Sequence, residues 1–132
     1  MTIYLPDTNI LIDAFREKRG RRELLGRLVT SGHSLACCAV TVAEVYSGMQ
    51  PRETAVTDAF LSALMWYGST RIVARRAGRL RFDYARRGVT LSLPDSLIAA
   101  TALEHSLTLI TDNRKHFPMP ELSLYDLSEA NS

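Results

Sequence analysis

At 132 residues, with 46% hydrophobic and 23% charged residues, the chain has an ordinary globular composition and is long enough to bury a core as one domain, residues 1–132. No apolar run approaches the roughly 20 residues of a membrane span, no basic-then-apolar leader opens the chain, and the adjacent Cys37 and Cys38 cannot build a disulfide framework, so reduced thiols and a cytoplasmic location are expected. The formal net charge of +2 hides a clustering, because six of the sixteen basic residues lie in Arg16 to Arg27 and seven in Arg71 to Arg87, which points either to a polyanion or acidic partner or to two solvated helix faces.

Thr2 to Leu5 reads as a short buried strand stopped by Pro6, and Asn9 to Phe15 places Ile10, Leu11, Ala14 and Phe15 at helical spacing. A second helical stretch, Arg21 to Val29, follows Gly20 and ends at Ser31-Gly32. Leu35 to Val40 is strand-like, Val42 to Tyr46 begins a helix that Gly48 can end, and Pro51-Arg52-Glu53 opens a helix to about Leu64. Trp66-Tyr67 fits a short strand or a loop.

Residues 70 to 87 form the most legible helix. At roughly 100° per residue, Val73, Ala77, Leu80 and Tyr84 share a core-facing stripe, and Arg71, Arg75, Arg79 and Arg86 a separate one. Phe82 lies beside the arginines, positioned to stack on a base, to anchor a protein partner or, if the helix curves, to turn back to the core. Beyond Gly88, Pro94-Asp95 opens an apolar helix to about His105, Leu107 to Thr111 is a strand, and Leu122 to Tyr125 is a candidate last strand. Short strands alternating with helices predict a layered α/β fold on a mostly parallel sheet of about five strands, whose carboxyl ends share one edge.

That edge would collect acids. Asp7 follows the first strand, Glu44 comes just after the second, Asp95 opens a helix, and Asp112 ends the stretch LIT-D at residues 109–112. Each has a plainer explanation. Asp7 or Thr8 can cap a helix, Thr41 to Glu44 matches a capping box, Asp95 complements a helix dipole, and Asp112-Asn113 suits an Asx-turn. Four separate caps have no reason to converge, whereas these acids do on a parallel sheet.

Converging carboxylates repel and need a cation to stay ionised at short range. Mg2+, with Mn2+ as a substitute, suits such oxygen ligands, and acids around a divalent ion beside basic stripes are the parts of a phosphodiester hydrolase. Other chemistries lack their residues. His33, His105 and His116 have no zinc-ligand spacing, and neither a glycine-rich phosphate loop nor a G-x-S-x-G serine is present. The role of His116 is open.

The blocks Leu5 to Asp13 (LPDTNILID), Thr41 to Gly48 (TVAEVYSG), Leu93 to Ala100 (LPDSLIAA) and Leu109 to Asn113 (LITDN) together resemble those of PIN-domain ribonucleases, more narrowly VapC-type toxins of toxin–antitoxin pairs. Any one block is weak, but four in order are strong, and they reach nearly to the end of the chain. The resemblance implies a three-layer α/β/α PIN-like domain, a divalent-metal endoribonuclease, a VapB-like antitoxin partner, and homodimers and toxin–antitoxin hetero-oligomers. It also implies that Asp7 and Asp95 hold the metal most directly, that Glu44 is the second acid, and that Thr8 helps order the site. The fourth position falls to Asp112 or to Asn113 as a neutral ligand, with Thr111 in support. Arg71, Arg75, Arg79 and Arg86 would then hold RNA. Two other readings stand beside this one: an inactive PIN domain that only binds RNA or a partner, and a receiver-like domain phosphorylated on Asp, for which the paired strand-end acids and the lysine are missing.

Overall fold

The computed structural model describes residues 1–130. Ile3–Pro6 forms β1, and Asp7 leads at once into helix α1, Thr8–Phe15. Helix α2 spans Arg21–Thr30, after a connection in which Glu17, Arg19 and Gly20 all take positive φ. Strand β2, Ser34–Cys38, runs directly into helix α3, Ala39–Gly48. A single 3-10 turn at Pro51–Glu53 precedes helix α4, Thr54–Ser62, and Met65–Tyr67 is strand β3. The two long helices α5, Arg71–Ala85, and α6, Leu93–His105, are followed by β4, Thr108–Ile110, a 3-10 turn at Arg114–His116, and the short helix α7, Leu127–Ala130. Among the described residues no helix is long and apolar enough to cross a membrane.

The four strands form one parallel sheet in the order β3-β2-β1-β4. Side chains alternate across it, as a strand's two-residue period demands. Leu5, Ala36, Cys38 and Leu109 point to one face, where Tyr84 of α5 and Ile98, Ala99 and Ala102 of α6 cover them. Tyr4, Leu35 and Ile110 point to the other, against Ile10 and Ala14 of α1 and Leu24 and Leu25 of α2. The result is the expected three layers. Small residues let α5 and α6 approach closely, with Val73 and Ala77 packed on Ala100. A separate cluster of Leu11, Val45 and Leu61 ties α1, α3 and α4 together.

Two expectations need correction. The fifth strand reduces to a bridge between Leu109 and Leu124, with Leu109 N–H donating to Ser123 O (2.9 Å) and Tyr125 N–H to Leu109 O (2.8 Å). Pairing stops there because the Asp126 carboxylate accepts the Ser128 N–H (3.0 Å) and turns the chain into α7. The second correction concerns the start of α3. Cys38 is its cap, and the Thr41 hydroxyl accepts the Cys38 N–H (3.1 Å), so the box sits one turn earlier than Thr41 to Glu44 and Glu44 has no capping duty.

The strand order explains where a site belongs. From β1 the chain winds outward through β2 to β3, then crosses back to place β4 on the opposite side of β1. In open α/β sheets ligands bind at the carboxyl ends of strands where the winding reverses. Here that point is the pair β1 and β4, which end in Pro6-Asp7 and Ile110-Thr111 and are joined by Asp7 N–H donating to Ile110 O (2.8 Å).

Candidate active site

Asp7 occupies the reversal point. It caps α1 in extended conformation, but its Oδ1 accepts the adjacent Thr8 N–H (2.8 Å) rather than the second or third helical amide that a dedicated cap takes. Its Oδ2 accepts the hydroxyl of Thr111 (2.9 Å), from the end of β4. The side chain is therefore held on both oxygens, and the residue is only 8% exposed. Burial pushes its pKa above the ordinary 3.8; the bonds from Thr8 and Thr111 oppose the rise, and the charges of Asp95 and Glu44 add to it. Among the described residues Asp7 has no ion-pair partner.

Glu44 projects from α3, and its Oε1 accepts the Thr8 hydroxyl (2.7 Å). Thr8 thus links two acids, giving its backbone N–H to one and its hydroxyl to the other. Asp95 sits in the first turn of α6, whose cap Ser92 accepts the Asp95 N–H (3.1 Å). Its Oδ2 lies 3.6 Å from His116 Nδ1, so the histidine whose role was open in the sequence stands against a site acid. Beside them is a recess of about 210 Å³ that Thr90, Ser92, Asp95, Lys115 and His116 help to line.

Asp112 is placed differently from the other acids. Its carboxylate is gripped by Arg21 Nη2 (2.7 Å) and Arg19 Nη1 (3.2 Å), and it is not among the charges that bear on Asp7. Asn113 enters the arrangement through its backbone, donating its N–H to the Thr111 hydroxyl (3.0 Å). Glu44 and Asp95 are thus the acids whose charges bear on Asp7, while Asp112 is turned toward Arg19 and Arg21.

Arg21 had no functional role in the sequence reading, although a signal was present. It precedes Leu24 and Leu25 by three and four residues and so shares their apolar face. Its side chain is 3% exposed, which a guanidinium tolerates only with a partner such as Asp112.

The donor set is suited to a hard divalent cation, being carboxylates and hydroxyls with a buried, unneutralised Asp7 at its centre. Among the described residues no three His, Cys, Asp or Glu side chains stand as a ready metal cage. Like charges do not close on one another unaided, and Asp95 and Glu44 are turned to His116 and Thr8.

Arg71, Arg75 and Arg79 of α5 and its carboxyl-terminal cap Arg86 are all exposed, and Phe82 among them faces solvent rather than the core. An apolar groove lies elsewhere. It measures about 650 Å³ and runs between α2 and α4 at the amino ends of β2 and β3, lined by Leu25, Val29, Leu35, Phe60 and Leu64 among others.

Comparison with known proteins places the fold in a family. The PIN domain family model matches residues 4–119. Ribonuclease VapC19 of Mycobacterium tuberculosis is 37% identical over 121 residues, spanning 89% of this chain and 95% of that protein. Among solved structures, the VapBC2 complex of Rickettsia felis bound to a DNA fragment from its promoter contains a chain with a TM-score of 0.80 and 27% identity, covering 94% of this chain and 98% of that one. A toxin–antitoxin complex from Klebsiella pneumoniae gives 0.76 and 30%, covering 93% and 96%.

Proposed function

The chain belongs to the PIN-domain family, in its VapC group, and on that premise we propose that it is the toxin of a toxin–antitoxin pair, an endoribonuclease that hydrolyses RNA phosphodiester bonds with the help of Mg2+ or Mn2+. The observation that carries this reading is the buried Asp7 carboxylate, fixed on both oxygens and facing the charges of Asp95 and Glu44.

In this reading Asp7 and Asp95 hold the cation most directly, and Glu44 completes the acid set. When bound, the ion lowers the pKa of a water and offsets charge developing on the phosphoryl oxygens. The chain's own residues do the rest. Thr8 and Thr111 orient Asp7, so that its position does not drift as charge changes nearby. Glu44, exposed and held by Thr8 through one oxygen, presents the other to receive the proton of the attacking water. In-line attack leaves a 5′-phosphate and a 3′-hydroxyl. Asp112 fixes the turn after β4 through Arg19 and Arg21, and the arginines of α5 hold the RNA backbone.

The apolar groove between α2 and α4 suits the amphipathic helix of an antitoxin. Purified, antitoxin-free protein incubated with RNA, with Mg2+ or Mn2+ and then with chelator, tests the activity. Cuts that need the ion and vanish in Asp7→Asn are expected; equal cutting by that variant would refute the assignment.

A further inference from the structure

Phe82 is a large apolar side chain left 55% exposed in the middle of a basic helix face. Arg79 and Arg86 flank it, the Cζ of each 5.7 Å from the ring centroid. These residues follow the three- and four-residue steps of one helical stripe, which Arg75 extends. Between Arg75 and Phe82 lies Gly78. A Cβ there would meet nothing within 4 Å, so no packing requires the glycine, although it weakens a helix interior relative to alanine. What its missing side chain leaves is a recess lined by Arg75, Gly78, Arg79 and Phe82.

The helix that carries the stripe is tied to the segment leading to one of the acids. Arg81 Nε donates to Leu91 O (3.0 Å), pinning the carboxyl-terminal half of α5 to the segment that leads into Ser92, the cap of α6, and on to Asp95. A second copy of the chain is a poor occupant, because two-fold pairing through this face would oppose arginine to arginine. The acid on this side, Asp83, is already paired with Arg79 (3.3 Å).

Resting on the nuclease reading above, we propose that Phe82, floored by Gly78 and flanked by Arg79 and Arg86, is a stacking platform for one unpaired nucleobase, which directs the enzyme to single-stranded segments of RNA. Aromatic rings stack on bases of any sequence, guanidinium groups add cation–π attraction and phosphate contacts, and a base inside a duplex cannot reach such a ring.

The test measures binding, in an Asp7→Asn background so that nothing is cut. Fluorescein-labelled oligoadenylate and an abasic strand of equal length and charge are titrated by anisotropy. Phe82→Ala should weaken oligoadenylate binding about ten-fold and leave the abasic strand unchanged. Phe82→Trp should restore it, and Gly78→Leu, which fills the recess, should reproduce the loss. Equal effects on both strands, no effect on either, or a tryptophan variant no better than alanine would each overturn the platform. So would a Phe82→Ala protein that binds oligoadenylate normally but sediments as a smaller species or loses its antitoxin. Cleavage by the protein with Phe82 and Asp7 intact is read separately, so a failure of the nuclease reading is not confused with a failure of the platform.

Discussion

The hydroxyl of Thr111 donates to Asp7 Oδ2 at 2.9 Å, joining two buried residues 104 positions apart at the ends of neighbouring strands. The Thr111 hydroxyl oxygen also accepts the Asn113 N–H (3.0 Å), so one hydroxyl fixes both the acid and the turn after β4. Thr111→Val keeps the shape but leaves the buried carboxylate and the Asn113 amide each short of a partner. We expect a stability loss of about 1–3 kcal/mol in urea unfolding and cleavage reduced at least ten-fold, with Thr111→Ser close to wild type on both counts. A valine variant that retains full activity would show that Asp7 needs no such support.

The raised pKa of Asp7 gives a sign to pH dependence. Burial makes the folded state hold this proton more tightly than the unfolded chain, whose value is near 3.8. The acid's contribution to stability is therefore greatest below that value and declines as pH rises through the folded pKa. At neutral pH and without divalent ions, Asp7→Asn should be more stable than wild type, and the gap should close in acid. Mg2+ or Mn2+ should reverse the order by stabilising wild type alone, by roughly 2.7 kcal/mol at a hundred times its dissociation constant. Thermal melts of both proteins with and without the ion decide this.

The arginine stripe predicts salt dependence. If Arg75 and Arg86 contact phosphates, changing each to Gln should flatten the slope of log affinity against log salt for single-stranded RNA by about 0.7. Unchanged slopes would leave the stripe as a solvated surface.

Much of this was legible in the sequence. The helical periodicity of residues 70 to 87 correctly separates Val73, Ala77 and Tyr84, which are buried, from the exposed arginines. Asp7 and Asp112 follow strand ends, and a parallel sheet finishes its strands on one edge. Two things lay beyond sequence pattern. The box at Cys38 and Thr41 displaced the expected one because a buried cysteine took the cap position, which propensity does not favour. The direction of Asp112 depends on Arg21, 91 residues away, and no local rule carries that information.

The groove between α2 and α4 makes a prediction about the partner. Val29 is exposed within it, so Val29→Glu removes little from the core. We expect unchanged folding and RNA cleavage, together with antitoxin affinity reduced ten-fold or more, since a carboxylate in an apolar contact must be desolvated without a partner. Co-purification and inhibition titrations with the antitoxin measure it, and normal inhibition of the variant would place the antitoxin elsewhere.

Asp112 and Arg21 separate two roles that the sequence left open. Were Asp112 a metal ligand, its replacement would weaken the ion's stabilising effect and leave the apo protein little changed. The clasp predicts the opposite. Arg21, 3% exposed, would lose its nearest carboxylate, while Asp112 is 20% exposed and solvent screens part of the loss. Asp112→Asn should then cost roughly 2–4 kcal/mol in the absence of ions, and the remaining folded protein should still gain stability from Mn2+. Arg21→Met, which removes the buried charge and keeps the stem, should cost less than Asp112→Asn, and the double variant less than the sum of the two. Loss of the Mn2+ effect in Asp112→Asn, with apo stability unchanged, would return Asp112 to the metal.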